Sequence, residues 1–348
     1  MINVALLKEI CEVPGAPGYE SKVRAVVLRE IEKLVDEWRI DNMGNIIAIK
    51  KGKDSSKKVM VAAHMDEIGF MVNYITDEGF LKFQTLGGFD PKTLTAQRVI
   101  VHGKKDVVGV MGCKPIHMMS PEERGKAPVL SDYYIDLGMP KEEVVKYVEI
   151  GHTVTRIGEL IEMGECVTSK SLDNRISVFI LIETLKEIGT PAHDFYAVFT
   201  VQEEVGIRGA HVAAHSISPD FGFGLDVTIA FDLPGAKPEE VTTRLGKGTA
   251  IKIFDTSAIC DYRMVDFLKK TADKHKIDWQ PEVLAGGGTD TAGIQRMATH
   301  GTIAGAISIP TRHLHQVIEM AHKKDIRLSI DLLKNSLEEL DTYDWSHK

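Results

Sequence analysis

The chain has 348 residues, 43% hydrophobic and 26% charged, a balance typical of a globular protein with room for one large domain or two. A net charge of −8 and a pI near 5.9 argue against a general binder of nucleic acid or of anionic membranes. No apolar run reaches the roughly 18 residues of a membrane span, the start of the chain lacks the basic-then-apolar order of a signal peptide, and Cys11, Cys113, Cys166 and Cys260 form no CxxC pair. Reduced thiols in a cytoplasmic protein are expected.

Apolar positions at helical spacing predict helices over 2–11 and 21–38, with Ser21 capping the second. A turn at Asn42-Met43-Gly44-Asn45 separates strands predicted at 38–41 and 46–50. The near-continuous apolar run 58–63 reads as a central strand covered on both faces, and it ends in His64-Met65-Asp66. From 70 to 164 the rhythm changes to short alternating runs rich in glycine, the pattern of a small β-rich module, with a long polar loop at 114–131. After Gly164 helices and strands alternate again: a helix after Asp173, a strand at 195–202, a small-residue helix near 209–215, strands at 221–226 and 250–254, a helix at 261–275, a strand at 302–309 and a closing helix at 324–340. The expected architecture is α/β, with residues 1–69 and 165–348 forming one domain and 70–164 inserted into it.

Acidic and histidine residues recur at the carboxyl ends of the predicted strands or just after them: His64 with Asp66, Asp173, Glu203 with Glu204, Asp226, and the turn Arg312–His315. Ligands bind outside the carboxyl ends of strands in open α/β sheets, so these segments can converge. Taken singly each has an ordinary reading: His64 as a hydrogen-bonded core histidine, Asp173 as a helix cap, Asp226 as a turn residue, Glu203-Glu204 as a solvated strand end. Together, imidazole and carboxylate groups without thiolate suit Zn²⁺, Co²⁺ or Mn²⁺. They are too many for one open tetrahedral ion and fit two ions sharing a carboxylate.

The ordered set His64-Met65-Asp66, Ser171-Leu172-Asp173-Asn174-Arg175, Glu203-Glu204-Val205-Gly206, Asp226-Val227-Thr228 and Pro310–His315 resembles that of the TET-type (tetrahedral) di-metal aminopeptidases, a family once also labelled as glucanases. The resemblance covers essentially the whole chain. It implies a mixed-sheet α/β/α peptidase fold with a PDZ-like dimerisation insert. One metal is expected on His64, Asp173 and Asp226, and the other on Asp173, Glu204 and His315. Glu203 is the implied general base, Asp66 orients His64, and Gly287, Gly288, Thr289 and Asp290 belong to a substrate loop. A cis peptide is implied after Asp173. The family usually has Tyr where this chain has His313 and Ser-Pro where it has Gln316-Val317; alignment of Thr311-Arg312 assigns the ligand to His315 and leaves His313 as a pocket or assembly residue.

The expected function is therefore a metal-dependent aminopeptidase acting on short peptides, with two ions per subunit, Zn or Co, and with dimers assembling into a dodecamer. A deacylase on the same site is the near alternative. A glycosidase using Glu203 and Glu204 is the distant one, since adjacent residues on one strand are poorly placed to flank a glycosidic bond.

Overall fold

The computed structural model describes residues 2–347. Its centre is four parallel strands in the order His193–Thr200, Asp54–His64, Phe221–Ile229, Ile303–Arg312. Apart from the polar start of Asp54–His64, nearly every residue of these strands is buried, because helices cover both faces. On one face lie Val4–Glu12, Ser21–Ile31, Leu172–Glu187, Tyr262–Lys274 and Lys323–Glu339, sharing the main core. On the other, Arg208–Ile217 and Asp290–Met297 close a smaller core around Met60, Ala62 and Val198. The Leu172–Glu187 helix is buried nearly all round, which is why it shows almost no amphipathic stripe.

Antiparallel strands extend the sheet on both sides. Ile46–Lys50 and Glu37–Ile40 add to one edge; Glu319–His322, Cys166–Ser169 and Ile161–Met163 add to the other. Between Gly69 and Arg156 a separate closed barrel is built from six strands of the described residues, Gly69–Ile75, Leu81–Leu86, Tyr134–Asp136, Asp106–Gly112, Arg98–His102 and Thr153–Arg156. Phe70, Val72, Leu81, Val99, Val101, Ile135 and Val154 fill it.

Four local expectations need correction. The second helix ends at Ile31, because Glu37–Ile40 pairs with Ile46–Lys50 and takes up residues 37 and 38 as strand. Ser21 is its first helical residue rather than its cap, and Glu20, which precedes it, makes no side-chain capping bond. The 114–131 loop contains a helical turn, Pro121–Arg124, held by a reciprocal Ser120–Glu123 capping box. The large sheet resumes at Ile161–Met163, slightly before the expected domain boundary at 165.

Candidate metal centre

Parallel register brings the strand ends to one place. Thr200 pairs with His64, so His64 and the Glu203-Glu204 turn leave the sheet side by side. Asp226 sits on the strand flanking His64 on its other side. The next strand ends at Arg312 and leads into the turn carrying His315. Asp173 arrives from the sheet's far edge at a non-helical step where Leu172–Glu187 begins, and the Asp173–Asn174 peptide is cis.

Glu203 and Glu204 are not strand residues. The strand stops at Thr200 and Gln202 takes a left-handed φ of 55°, so strand alternation does not set their directions. Asp66 does: its Oδ1 accepts the Glu203 N–H at 3.0 Å and its Oδ2 accepts the Glu204 N–H at 3.1 Å. The turn held this way aims the two carboxylates differently. Glu203 Oε2 lies 3.8 Å from His64 Nε2, while Glu204 Oε2 lies 3.8 Å from His315 Nε2.

Asp173 stands between the two histidines, with Oδ1 3.3 Å from His64 Nε2 and Oδ2 3.3 Å from His315 Nε2. Asp226 Oδ1 is 3.9 Å from His64 Nε2. Two groups of donor atoms result, His64–Asp173–Asp226 and Asp173–Glu204–His315, each with its atoms within 4.8 Å of one another. They share Asp173. His313 belongs to neither group, and Asp66 faces the other ring nitrogen of His64, its carbonyl 3.2 Å and its Oδ1 3.4 Å from Nδ1.

The electrostatics show what this crowding demands. Burial, with Asp226, Asp290 and Glu204 nearby, pushes the Glu203 carboxyl well above the ordinary range despite His64. Burial, with Asp173 nearby, raises Glu204 to about 8. Asp226 is also raised by burial and by Asp173, against the pull of His64. Asp173 goes the other way: burial opposes its ionisation, but the hydrogen bonds of His315 and His64 hold it below the usual range. Despite burial, Asp173 and Glu204 lift His315 to about 10. Converging carboxylates of this kind are stabilised as anions by a cation of charge two or more. Glu204 Oε1, buried and without a hydrogen-bond partner among the described residues, fits that requirement as well.

The chain matches the M42 glutamyl aminopeptidase family model over residues 44–332. The chain belongs to that family. A putative aminopeptidase of Acetivibrio thermocellus is 41% identical over 95% of this chain and 97% of its own length. Among solved structures, aminopeptidase APDkam598 of the archaeon Desulfurococcus kamchatkensis superposes with a TM-score of 0.93 at 38% identity, covering 97% of this chain and 94% of that one. The Pyrococcus horikoshii TET1 peptidase, described as able to form a tetrahedron or a large octahedral shell, gives 0.87 at 31%, covering 97% and 99%. The protein is accordingly a hydrolase, a metallo-aminopeptidase of TET-like fold.

In this aminopeptidase the two donor groups open into a cavity of about 620 Å³. Gly287, Gly288 and Thr289 line it, beside apolar Ile207, Ile229 and Leu284. Asp290 does not line it. Its side chain is buried, with Oδ2 accepting the Thr200 hydroxyl at 2.5 Å, and burial raises it to about 6.

Three residues around His315 escaped the sequence reading. The Gly88 carbonyl accepts the Nδ1–H of His315 at 2.8 Å, which directs Nε2 toward Asp173 and Glu204. Arg156 Nη1 donates to the His315 carbonyl at 2.8 Å, and Glu319 accepts the His315 N–H, also at 2.8 Å. Both polar backbone groups and one ring nitrogen of His315 are thus tied, which accounts for a non-glycine residue holding a φ of 63°. Glu319 and Ala321 share the buried face of a short strand, whose sequence Glu-Met-Ala-His has no polar–apolar alternation to announce it.

Proposed function

We propose that this aminopeptidase removes N-terminal residues from short peptides at a pair of divalent ions, Zn²⁺ or Co²⁺ suiting the donors best. His64, Asp173 and Asp226 would hold one, and Asp173, Glu204 and His315 the other. The observation carrying this reading is that Asp173 belongs to both donor groups, with one oxygen toward each histidine. Bound ions of this type polarise the scissile carbonyl and make a water acidic enough to act near neutral pH. Glu203 lies in neither donor group, and its Oε2 faces the same space as His64 Nε2. It takes the proton of the attacking water and delivers it to the leaving amine. Its side chain, 10% exposed and facing His64, is placed for both steps. Asp66 keeps this base in place through the Glu203 amide, and Gly287, Gly288 and Thr289 bring backbone close to the bound peptide.

Glu203→Gln tests the assignment. Metal content should stay at two ions per subunit while turnover on aminoacyl substrates falls by about 10²–10⁴-fold. Wild-type turnover would remove Glu203 from the mechanism. Free and N-acetylated peptides, compared on the wild-type protein, separate an aminopeptidase from a deacylase. By its likeness to the TET1 peptidase, we further propose that the inserted barrel joins chains into dimers and the dimers into a dodecamer; solution mass distinguishes the two. Four cysteines free of disulfides suit a reducing compartment, the cytoplasm.

A further inference from the structure

Glu319 is a buried carboxylate, 1% exposed, that lies in neither donor group. Both of its oxygens are already engaged with backbone. Oε1 accepts the His315 N–H at 2.8 Å and Oε2 accepts the Asp173 N–H at 2.9 Å. Sheet topology makes this reach natural. Glu319 pairs with Ser169 on one side, four residues before Asp173, and its neighbour Met320 pairs with Arg312 on the other, three residues before His315. One carboxylate therefore spans the two segments that deliver Asp173 and His315, which are far apart in sequence. A cation that acts on Glu319 is Arg156, itself 1% exposed, whose Nη1 holds the His315 carbonyl while Nε and Nη2 have no hydrogen-bond partner among the described residues. It interacts electrostatically with Glu319 and Glu204.

We propose that Glu319 is a positioning residue which fixes the separation of Asp173 and His315, and so sets the affinity of the metal position they share with Glu204. The proposal rests on the two-ion reading above. It gives Glu319 no contact with substrate or metal; its effect passes through two backbone amides. Carboxylate is the group required here, because it presents two acceptors to two N–H donors. Glu319→Gln keeps the size and turns one end into a donor facing a donor. Glu319→Asp keeps the charge beside Arg156 and is too short to reach both amides.

The test is a Co²⁺ titration of the chelator-stripped full-length protein, followed by visible absorption. His315→Ala identifies which equivalent belongs to the Asp173–Glu204–His315 position. In Glu319→Gln that equivalent should weaken about 10–100-fold, and the His64–Asp173–Asp226 equivalent, which loses only the tie on Asp173, by a clearly smaller factor. Glu319→Asp should fall between this variant and wild type, and it carries the test if Glu319→Gln does not fold. Two wild-type affinities in the variants, or equal weakening of both equivalents, overturn the positioning role, since general loosening of the fold would not choose between the ions. A wild-type protein that binds fewer than two Co²⁺ overturns the two-ion reading instead, and that outcome is separate from the behaviour of Glu319.

Discussion

The two histidines on either side of Asp173 are held in opposite ways. His64 closes a central strand, is 1% exposed, and has its second ring nitrogen against Asp66 two residues along the same chain segment. His315 has a side chain 38% exposed, sits in a turn with a left-handed backbone, and is steadied by Gly88 and Arg156, which come from the barrel strands and the loop between them. One side of the centre is therefore built into the sheet. The other depends on a turn, on Glu319 and on two groups that the inserted barrel supplies. Local opening is cheapest where few buried contacts resist it, so ligand exchange should concentrate on the His315 side.

The largest effect should come from the residue common to both sides. Asp173→Ala should drop metal content below one ion per subunit and reduce peptidase activity to background, as read by elemental analysis and an aminoacyl assay. Retention of one tightly held ion would show that the two sides are independent rather than bridged. Next come the histidines themselves. His315→Gln should lose one ion and recover part of its activity in millimolar Co²⁺. His64→Gln should recover none and should also lower the melting temperature, since it disturbs a fully buried strand end. Equal rescue of the two variants would break the contrast.

Asp66→Asn probes the buried side without touching a donor. It leaves an amide NH₂ opposite either the Glu203 or the Glu204 N–H. The expected cost is about 1–3 kcal/mol of stability and roughly 10–100-fold in kcat, with KM little changed. A change confined to KM would mean that Asp66 serves substrate binding rather than the geometry of the base.

The same contrast governs what the sequence revealed. The segments carrying His64, Asp173, Glu203-Glu204, Asp226 and the Arg312–His315 turn could be brought together on paper because strand ends lie along one rim, whereas the choice of Glu204 over Glu203 and of His315 over His313 came from the family resemblance. Glu319, Arg156 and Gly88 were not visible. Glu319 reads as an ordinary polar residue until its strand is known to lie between Cys166–Ser169 and Ile303–Arg312. Arg156 reads as the end of a barrel strand, and the role of Gly88 depends on a carbonyl, which no side-chain pattern encodes. The different aims of Glu203 and Glu204 were equally out of reach, since the Gln202 turn and two hydrogen bonds to Asp66 set them. Local periodicity reports strands and helices; contacts between distant edges of one sheet leave almost no local mark.

The smallest expected effect concerns Glu20, on the His64 side. Glu20, 1% exposed, accepts the Gly18 N–H at 2.7 Å and the Gln202 N–H at 3.1 Å through Oε1. Burial, followed by repulsion from Asp66, raises its carboxyl to about 7. A folded-state value above the unfolded one means that the folded protein binds the extra proton between about pH 4.5 and 7. This group's contribution is therefore favourable at the acidic end of that window and is lost as pH rises through it. Glu20→Gln keeps an acceptor oxygen for both amides and removes the titration. The variant should match wild type near pH 4.5 and exceed it by about 1–3 kcal/mol at pH 8, measured by denaturant unfolding across that range. Parallel stability curves for the two proteins would show that Glu20 is ionised at no cost, and that the buried side of the centre carries less electrostatic strain than its packing implies.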